Sequence, residues 1–183
     1  EVKLSLKKNS IKLILLRHFI TKWNKEGKIQ GLKNNSIIPP SKKTLYDVKR
    51  KLNHFKSIKN IDIYTSNLKR TIQTANYLKL NFKKTKILNE IDVGKFEGLP
   101  REKFYLHVDF DNKNFLKKNY VESKLKIINR IKKLKKNIKR DTLIISHGIF
   151  IKLFLSYLKY GKISQFKNFK MNNSEIKIIN LDI

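Results

Sequence analysis

The sequence predicts an α/β fold: a three-layer sandwich with a mostly parallel central sheet and helices on both faces. Three observations predict it. Runs such as Ile11-Lys12-Leu13-Ile14-Leu15-Leu16 and Thr142-Leu143-Ile144-Ile145-Ser146 are short and almost continuously apolar, as strands covered on both faces are. Amphipathic stretches of helical period lie between such runs, and the two kinds alternate along the chain. The 183 residues read as one domain, residues 1–183, with no linker and no internal repeat.

The first strand, Ile11 to Leu16, ends at Arg17-His18. A polar stretch with Gly27, Gly31 and Pro39-Pro40 follows, a loop long enough to carry function. Ser41 caps a helix to about Phe55, with Leu45, Val48 and Leu52 on one face. Ile61-Asp62-Ile63-Tyr64-Thr65 is a second strand, Ser66 opens a helix through Leu78, and Thr85 to Leu88 is a short third strand. Arg101 to His107 makes a short helix, and the polar run to Asn119 has no clear period. Ser123 begins an amphipathic helix whose Leu125, Ile127, Ile128, Ile131 and Leu134 face inward while lysines fill the other side. Thr142 to Ser146 is a fourth strand ending at His147-Gly148, a helix from Ile149 to Leu158 follows, and Glu175 to Leu181 adds an edge strand.

Composition narrows the function. With 40% hydrophobic and 10% aromatic residues the chain is globular rather than disordered. It has no cysteine, which excludes a disulfide framework, thiolate zinc sites and a cysteine nucleophile, and fits a cytoplasmic location. No apolar run approaches the roughly 18 residues a membrane span needs. Glu1-Val2-Lys3 lacks a secretory pattern, although Met171 is the only methionine and a processed start stays open. Lys+Arg number 43 against 14 Asp+Glu, a net charge of +29. A nucleic-acid binder or an enzyme for anionic substrates would carry such a charge. The lysines are spread along the whole chain, with no zinc-finger or RNA-recognition signature and no Arg-rich tail. That favours a compositional bias filling solvated faces and argues against nucleic acid as a partner.

Ligands of open α/β sheets sit beyond the carboxyl ends of the strands. The first strand delivers Arg17 and His18 there, the helix after the second carries Arg70, the third is followed by Glu90, and the fourth delivers His147. Each alone has a structural explanation, as a turn residue, a surface charge or a helix cap. Together they are the set phosphoryl chemistry needs. Guanidinium forks match phosphate oxygens, an imidazole can be the nucleophile, and a carboxyl group can protonate a leaving alkoxide. No carboxylate cluster is placed to hold magnesium, and neither metal nor cofactor is expected.

Leu16-Arg17-His18-Phe19-Ile20-Thr21-Lys22-Trp23-Asn24 resembles the signature of the histidine phosphatase superfamily, which includes the cofactor-dependent phosphoglycerate mutases. Ile29-Gln30-Gly31, Tyr64 through Ala75 with Arg70, Leu88 through Leu99 with Glu90, and Ile145-Ser146-His147-Gly148 resemble further segments in family order. Tyr120-Val121-Glu122-Ser123 echoes a Gly-Glu-Ser element. The resemblance spans residue 11 to about 155. It implies a phosphoglycerate mutase-like fold with His18 as nucleophile, Arg17, Arg70 and His147 around the phosphoryl group, and Glu90 as proton donor. It also puts Asn24 and Gln30 on the phosphate pocket and makes Trp23 a packing residue. Phe19 replaces the family Gly and Ile20 its acidic residue or Gln. A Gly after the nucleophile implies tight backbone packing, so these two are expected to line or border the substrate pocket.

The resemblance implies a phosphatase acting on a small phosphorylated metabolite, a phosphoric monoester hydrolase. Gly94-Lys95-Phe96-Glu97-Gly98 is similar to the phosphatase branch, Gln30 stands where mutases have Thr, and the segment from Glu90 to His147 is short. In size the chain is similar to α-ribazole phosphatase and broad-specificity phosphatases. A mutase and a protein phosphohistidine phosphatase are the alternatives, and a non-catalytic nucleic-acid-binding protein the least favoured. Specificity is expected in the loops Leu32 to Pro40 and Leu99 to Tyr120. The oligomeric state is open, a homodimer being one option.

Overall fold

The computed structural model describes residues 10–56 and 61–182, so the amino-terminal Glu1-Val2-Lys3 lies outside it. Its strands are β1 (Ser10–Arg17), β2 (Asp62–Thr65), β3 (Lys83–Lys84), β4 (Thr142–Ser146) and β5 (Ile176–Asp182). They form one sheet in the order β3-β2-β4-β1-β5. Neighbours pair in parallel except the edge strand β5, which runs antiparallel to β1. The helices are α1 (Lys22–Lys25), α2 (Lys42–Lys56), α3 (Lys69–Tyr77), α4 (Arg101–His107), α5 (Lys113–Lys118), α6 (Lys124–Asn137) and α7 (Gly148–Tyr160). Among the described residues no helix is long and apolar enough to cross a membrane.

β1 shows why the apolar runs are continuous. Successive side chains of a strand point to opposite faces. Leu13 and Leu15 enter a core with Ile131 of α6 and Phe150 and Phe154 of α7. Ile14 and Leu16 enter a second core with Val48 and Leu52 of α2 and Ala75 of α3. Both faces are covered, so every position from 13 to 16 is fully buried. Each such side chain contributes about 1.5–3 kcal/mol relative to exposure. The fold class is the one the alternation predicts.

Four local expectations are corrected. The third strand is Lys83–Lys84, and Lys86–Leu88 is a 3₁₀ turn because the Thr85 hydroxyl accepts the Ile87 N–H and starts a turn there. Ser66 does not open α3, which begins at Lys69; its hydroxyl belongs to the site described below. Leu125 is 69% exposed, so the buried stripe of α6 is Ile127, Ile131 and Leu134. Phe19 is 1% exposed and lies in the second core with Ile14 and Ile37. Its ring points away from the substrate side because its N–H, donated to Thr74 Oγ1 at 2.9 Å, ties the backbone to α3.

Candidate active site

The parallel strands end level with one another, Arg17 opposite Ser146 and Thr65 opposite Ile145. The chain therefore delivers Arg17-His18, Ser66 and His147 to one rim. A cavity of about 370 Å³ opens there, and Arg17, His18, Asn24, Gln30, Arg70 and Glu90 are on its walls. Six of the seven expected site residues thus share one surface. His147 is the exception. It is fully buried behind the wall, its ring centroid 5.3 Å from that of His18.

The His18 ring is oriented by backbone. Its Nδ1 lies 2.6 Å from the carbonyl oxygen of Phe19. A carbonyl only accepts, so Nδ1 carries the proton and Nε2 keeps its lone pair. Burial, and then the charges of Arg70 and Arg17, hold the His18 pKa well below its ordinary value of 6.5, so the ring is neutral near pH 7.

Arg70, 1% exposed, is held on three sides. Its Nε donates to His147 Nδ1 at 3.0 Å, and its terminal nitrogens donate to the carbonyls of Lys33 at 2.6 Å and Gly31 at 2.9 Å. Burial lowers its pKa to about 10, which still leaves it charged near neutrality. Two of its five N–H groups stay available. Since Nδ1 of His147 accepts, its Nε2 is the donor, to Ser66 Oγ at 2.7 Å. Ser66 Oγ meets Thr71 Oγ1 at 2.7 Å, and Thr71 Oγ1 donates to the Leu68 carbonyl at 2.8 Å. His147 therefore backs Arg70. A direct contact with a phosphoryl group, as the resemblance implies, requires it to exchange Arg70 or Ser66.

Arg17 donates from a terminal nitrogen to the Met171 carbonyl at 2.7 Å, while its Nε is buried without a partner among the described residues. Its guanidinium lies over Gly148. A Cβ there would stand 3.0 Å from the Arg17 Cζ, which accounts for glycine after His147. At Gly31, φ is +50° and a Cβ would fall 2.6 Å from Val93 Cγ2, so glycine is needed where the chain turns to present its carbonyl to Arg70.

Glu90 is 6% exposed and sits at the amino end of α7. It accepts the N–H groups of Ile149 at 3.0 Å, Phe150 at 2.8 Å and Ile91 at 3.1 Å. Two of these bonds use the first turn of α7, whose N–H groups have no partner within the helix. One lone-pair position on Oε2 is left for a proton. The backbone that carries Glu90 is clamped from α6. Arg130 donates to the carbonyls of Ile87 and Asn89, pairs with Glu122 at 2.7 Å and lies 4.6 Å from the Phe150 ring centroid. The Gly-Glu-Ser echo at Glu122 has its structural meaning here.

Asn24 closes a capping box with Thr21 on α1. Its Oδ1 receives the Thr21 N–H at 3.1 Å, the Thr21 hydroxyl at 3.0 Å and Asn173 Nδ2 at 3.1 Å. Its Nδ2 is therefore the free end, and Asn24 lines the cavity. Gln30 is fixed likewise, its Oε1 accepting from Asn35 Nδ2 at 3.1 Å. Trp23 packs over Gly98, as a packing residue should.

Sequence reasoning missed Asn173, which also donates to the His18 carbonyl at 3.1 Å. It missed Lys167, Phe169 and Lys170 on the cavity wall as well. They lie beyond the last matched motif, and no local pattern marks them. Of the two loops expected to set specificity, Leu99 to Tyr120 contributes Arg101 and Tyr105, while Leu32 to Pro40 contributes no wall residue. Ile20 borders a separate pocket with Pro39 and Pro40. Among the described residues no group of three or more His, Asp or Glu is placed to hold a metal ion.

The family model of the histidine phosphatase superfamily (branch 1) matches residues 13–182. A 6-phosphofructo-2-kinase/fructose-2,6-bisphosphatase 3 of Rattus norvegicus is 37% identical over 90 residues, 49% of this chain and 16% of that protein. The matched stretch thus spans a small part of that relative. Phosphoserine phosphatase 1 of Hydrogenobacter thermophilus is 26% identical over 188 residues, covering 94% of this chain and 87% of that protein. The crystal structure of a phosphoserine phosphatase from Entamoeba histolytica, in complex with 3-phosphoglyceric acid, superposes with a TM-score of 0.67 at 27% identity. It covers 92% of this chain and 89% of that one.

Proposed function

Because the chain belongs to the histidine phosphatase superfamily, we propose that it hydrolyses a small-molecule phosphomonoester through a phosphohistidine formed on His18. The observation that carries the reading is the bond from His18 Nδ1 to the Phe19 carbonyl, which leaves a neutral ring with a lone pair on Nε2. The replacement of the family Gly leaves this bond in place, since the acceptor is a backbone carbonyl that any residue supplies.

In the first step Nε2 attacks phosphorus, the ester P–O bond breaks, and a proton on Glu90 Oε2 passes to the leaving oxygen. The developing positive charge on the ring is stabilised at Nδ1–H by the Phe19 carbonyl. In the second step water attacks phosphorus, the P–N bond breaks, and the water proton returns to Glu90. Charge on the transferring group is met by the free N–H groups of Arg17 and Arg70 and by the amides of Asn24 and Gln30. Such fixed donors supply most of the stabilisation of a loose phosphoryl-transfer transition state. His147 acts through Arg70. A cysteine-free chain working on phosphorylated metabolites fits the cytoplasm.

The test is a screen of phosphorylated metabolites and an aryl phosphate with free phosphate as readout. Release from none of them would end this reading.

A further inference from the structure

Arg17 and Arg70 match the charge of one phosphate monoester dianion, yet five more cationic side chains line the same cavity: Lys28, Arg101, Lys152, Lys167 and Lys170. Among the described residues Glu90 is the single carboxylate on its walls, and its oxygens are engaged by backbone N–H groups. Lys28 and Arg101 pair with Glu26 and Glu102 outside it. Among the described residues no carboxylate comes within ion-pair distance of Lys152, Lys167 or Lys170.

Lys152 is also held in place, unlike a solvated lysine. Its Nζ meets the Tyr105 hydroxyl at 2.6 Å. It lies 4.1 Å from the Tyr105 ring centroid and 5.5 Å from that of Phe166, and the two rings stack at 6.0 Å. An ammonium bonded to the Tyr105 hydroxyl and flanked by two aromatic rings keeps its charge partly desolvated and its direction fixed. Two of its N–H donors remain, and the Tyr105 hydroxyl, having accepted from Lys152, is free to donate. Burial lowers the Lys152 pKa to about 8, Arg17, Arg101 and Lys167 add to the shift, and Glu90 opposes it. A bound anion would relieve that cost.

We propose that Arg101, Tyr105, Lys152, Lys167 and Lys170 form a second anion subsite, so that the leaving alcohol of the substrate carries a further phosphate or carboxylate. The subsite draws on α4, α7 and the stretch after α7, whereas the reacting phosphoryl group is held from β1, α1 and α3. The proposal rests on the phosphatase reading above and sets its substrate class.

The test uses three esters of one alcohol skeleton: propyl phosphate, its analogue ending in a carboxylate, and its analogue ending in a second phosphate. kcat/KM is measured for the wild type, Lys152→Met and Tyr105→Phe. Binding of the same esters to the full-length His18→Ala protein is measured by calorimetry. The expected result is a preference of tenfold or more for at least one doubly anionic ester over propyl phosphate, in turnover and in binding. Which one is preferred identifies the group. The ratio should fall toward one in Lys152→Met, mainly through KM, and fall less in Tyr105→Phe. Equal binding of all three esters, or an undiminished ratio in folded Lys152→Met, overturns the subsite. If the wild type turns over none of them yet His18→Ala still binds a doubly anionic ester better, the hydrolysis reading fails and the subsite stands.

Discussion

Nδ1 of His18 stands 2.6 Å from the carbonyl oxygen of Phe19. This fixes the tautomer, and with it the atom that can act as nucleophile. A phosphoenzyme trapped from a labelled substrate should be acid-labile, alkali-stable and attached at Nε2 of His18. Peptide mapping and phosphorus NMR distinguish the two ring nitrogens. A label on Nδ1, or on another residue, rules the proposed chemistry out.

Glu90 should matter in proportion to how poor the leaving group is. Glu90→Gln keeps the size and removes the proton donor. In a single turnover it should slow phosphoenzyme formation from an alkyl phosphate by roughly 10²–10⁴. A nitrophenyl ester, whose phenolate departs unaided, should be spared far more. Equal loss on both esters would leave Glu90 as a pocket residue only.

Asn173 positions Asn24 and the His18 backbone without lining the cavity. Asn173→Asp puts an acceptor where a donor is needed and favours reversal of the Asn24 amide. It should lower kcat/KM by about tenfold, on the scale of a lost hydrogen bond to a charged transition state. Asn173→Gln should recover part of that loss. Thermal unfolding should move little in both variants, and a large drop in melting temperature with unchanged kcat/KM would show a structural role instead.

Phe19 is a core residue. Phe19→Ala should cost about 3–5 kcal/mol in denaturant unfolding, the range for emptying a buried aromatic site. The relative rates on different substrates should stay the same in the folded fraction. A shift in substrate preference without loss of stability would return Phe19 to the pocket.

The two buried histidines make stability depend on pH. Burial, followed by the charge of Arg70, holds both pKa values well below 6.5. The unfolded chain therefore binds protons that the folded one does not as pH falls below about 6.5. Stability should be flat in these groups above that pH and decline below it, by about 1.4 kcal/mol per pH unit for each histidine. The slope should fall by one histidine's share in His18→Asn. An unchanged slope in urea titrations between pH 6.5 and 5 would contradict the assignment.

Much of this protein is determined by its sequence alone. Strands covered on both faces must be apolar at every position, so β1 and β4 are legible as unbroken runs. Arg17, His18 and His147 are legible because they end those runs, and Arg70 and Glu90 because the segments around them resemble family motifs in family order. Such information is local, either a period or a short motif. Tertiary structure decided the rest. Whether Phe19 faced substrate or core depended on which side of β1 the turn fell, set by a bond to Thr74 some 55 residues away. His147 stands behind Arg70 because α3 and β4 meet there, and Asn173 reaches Asn24 only because β5 returns beside β1. The cations beyond Arg17 and Arg70 are ordinary lysines by pattern, indistinguishable from the many on solvated faces. Lys152 became a different residue only when packing set it against Tyr105 and Phe166, because desolvation and direction belong to the folded surface and not to the residue type.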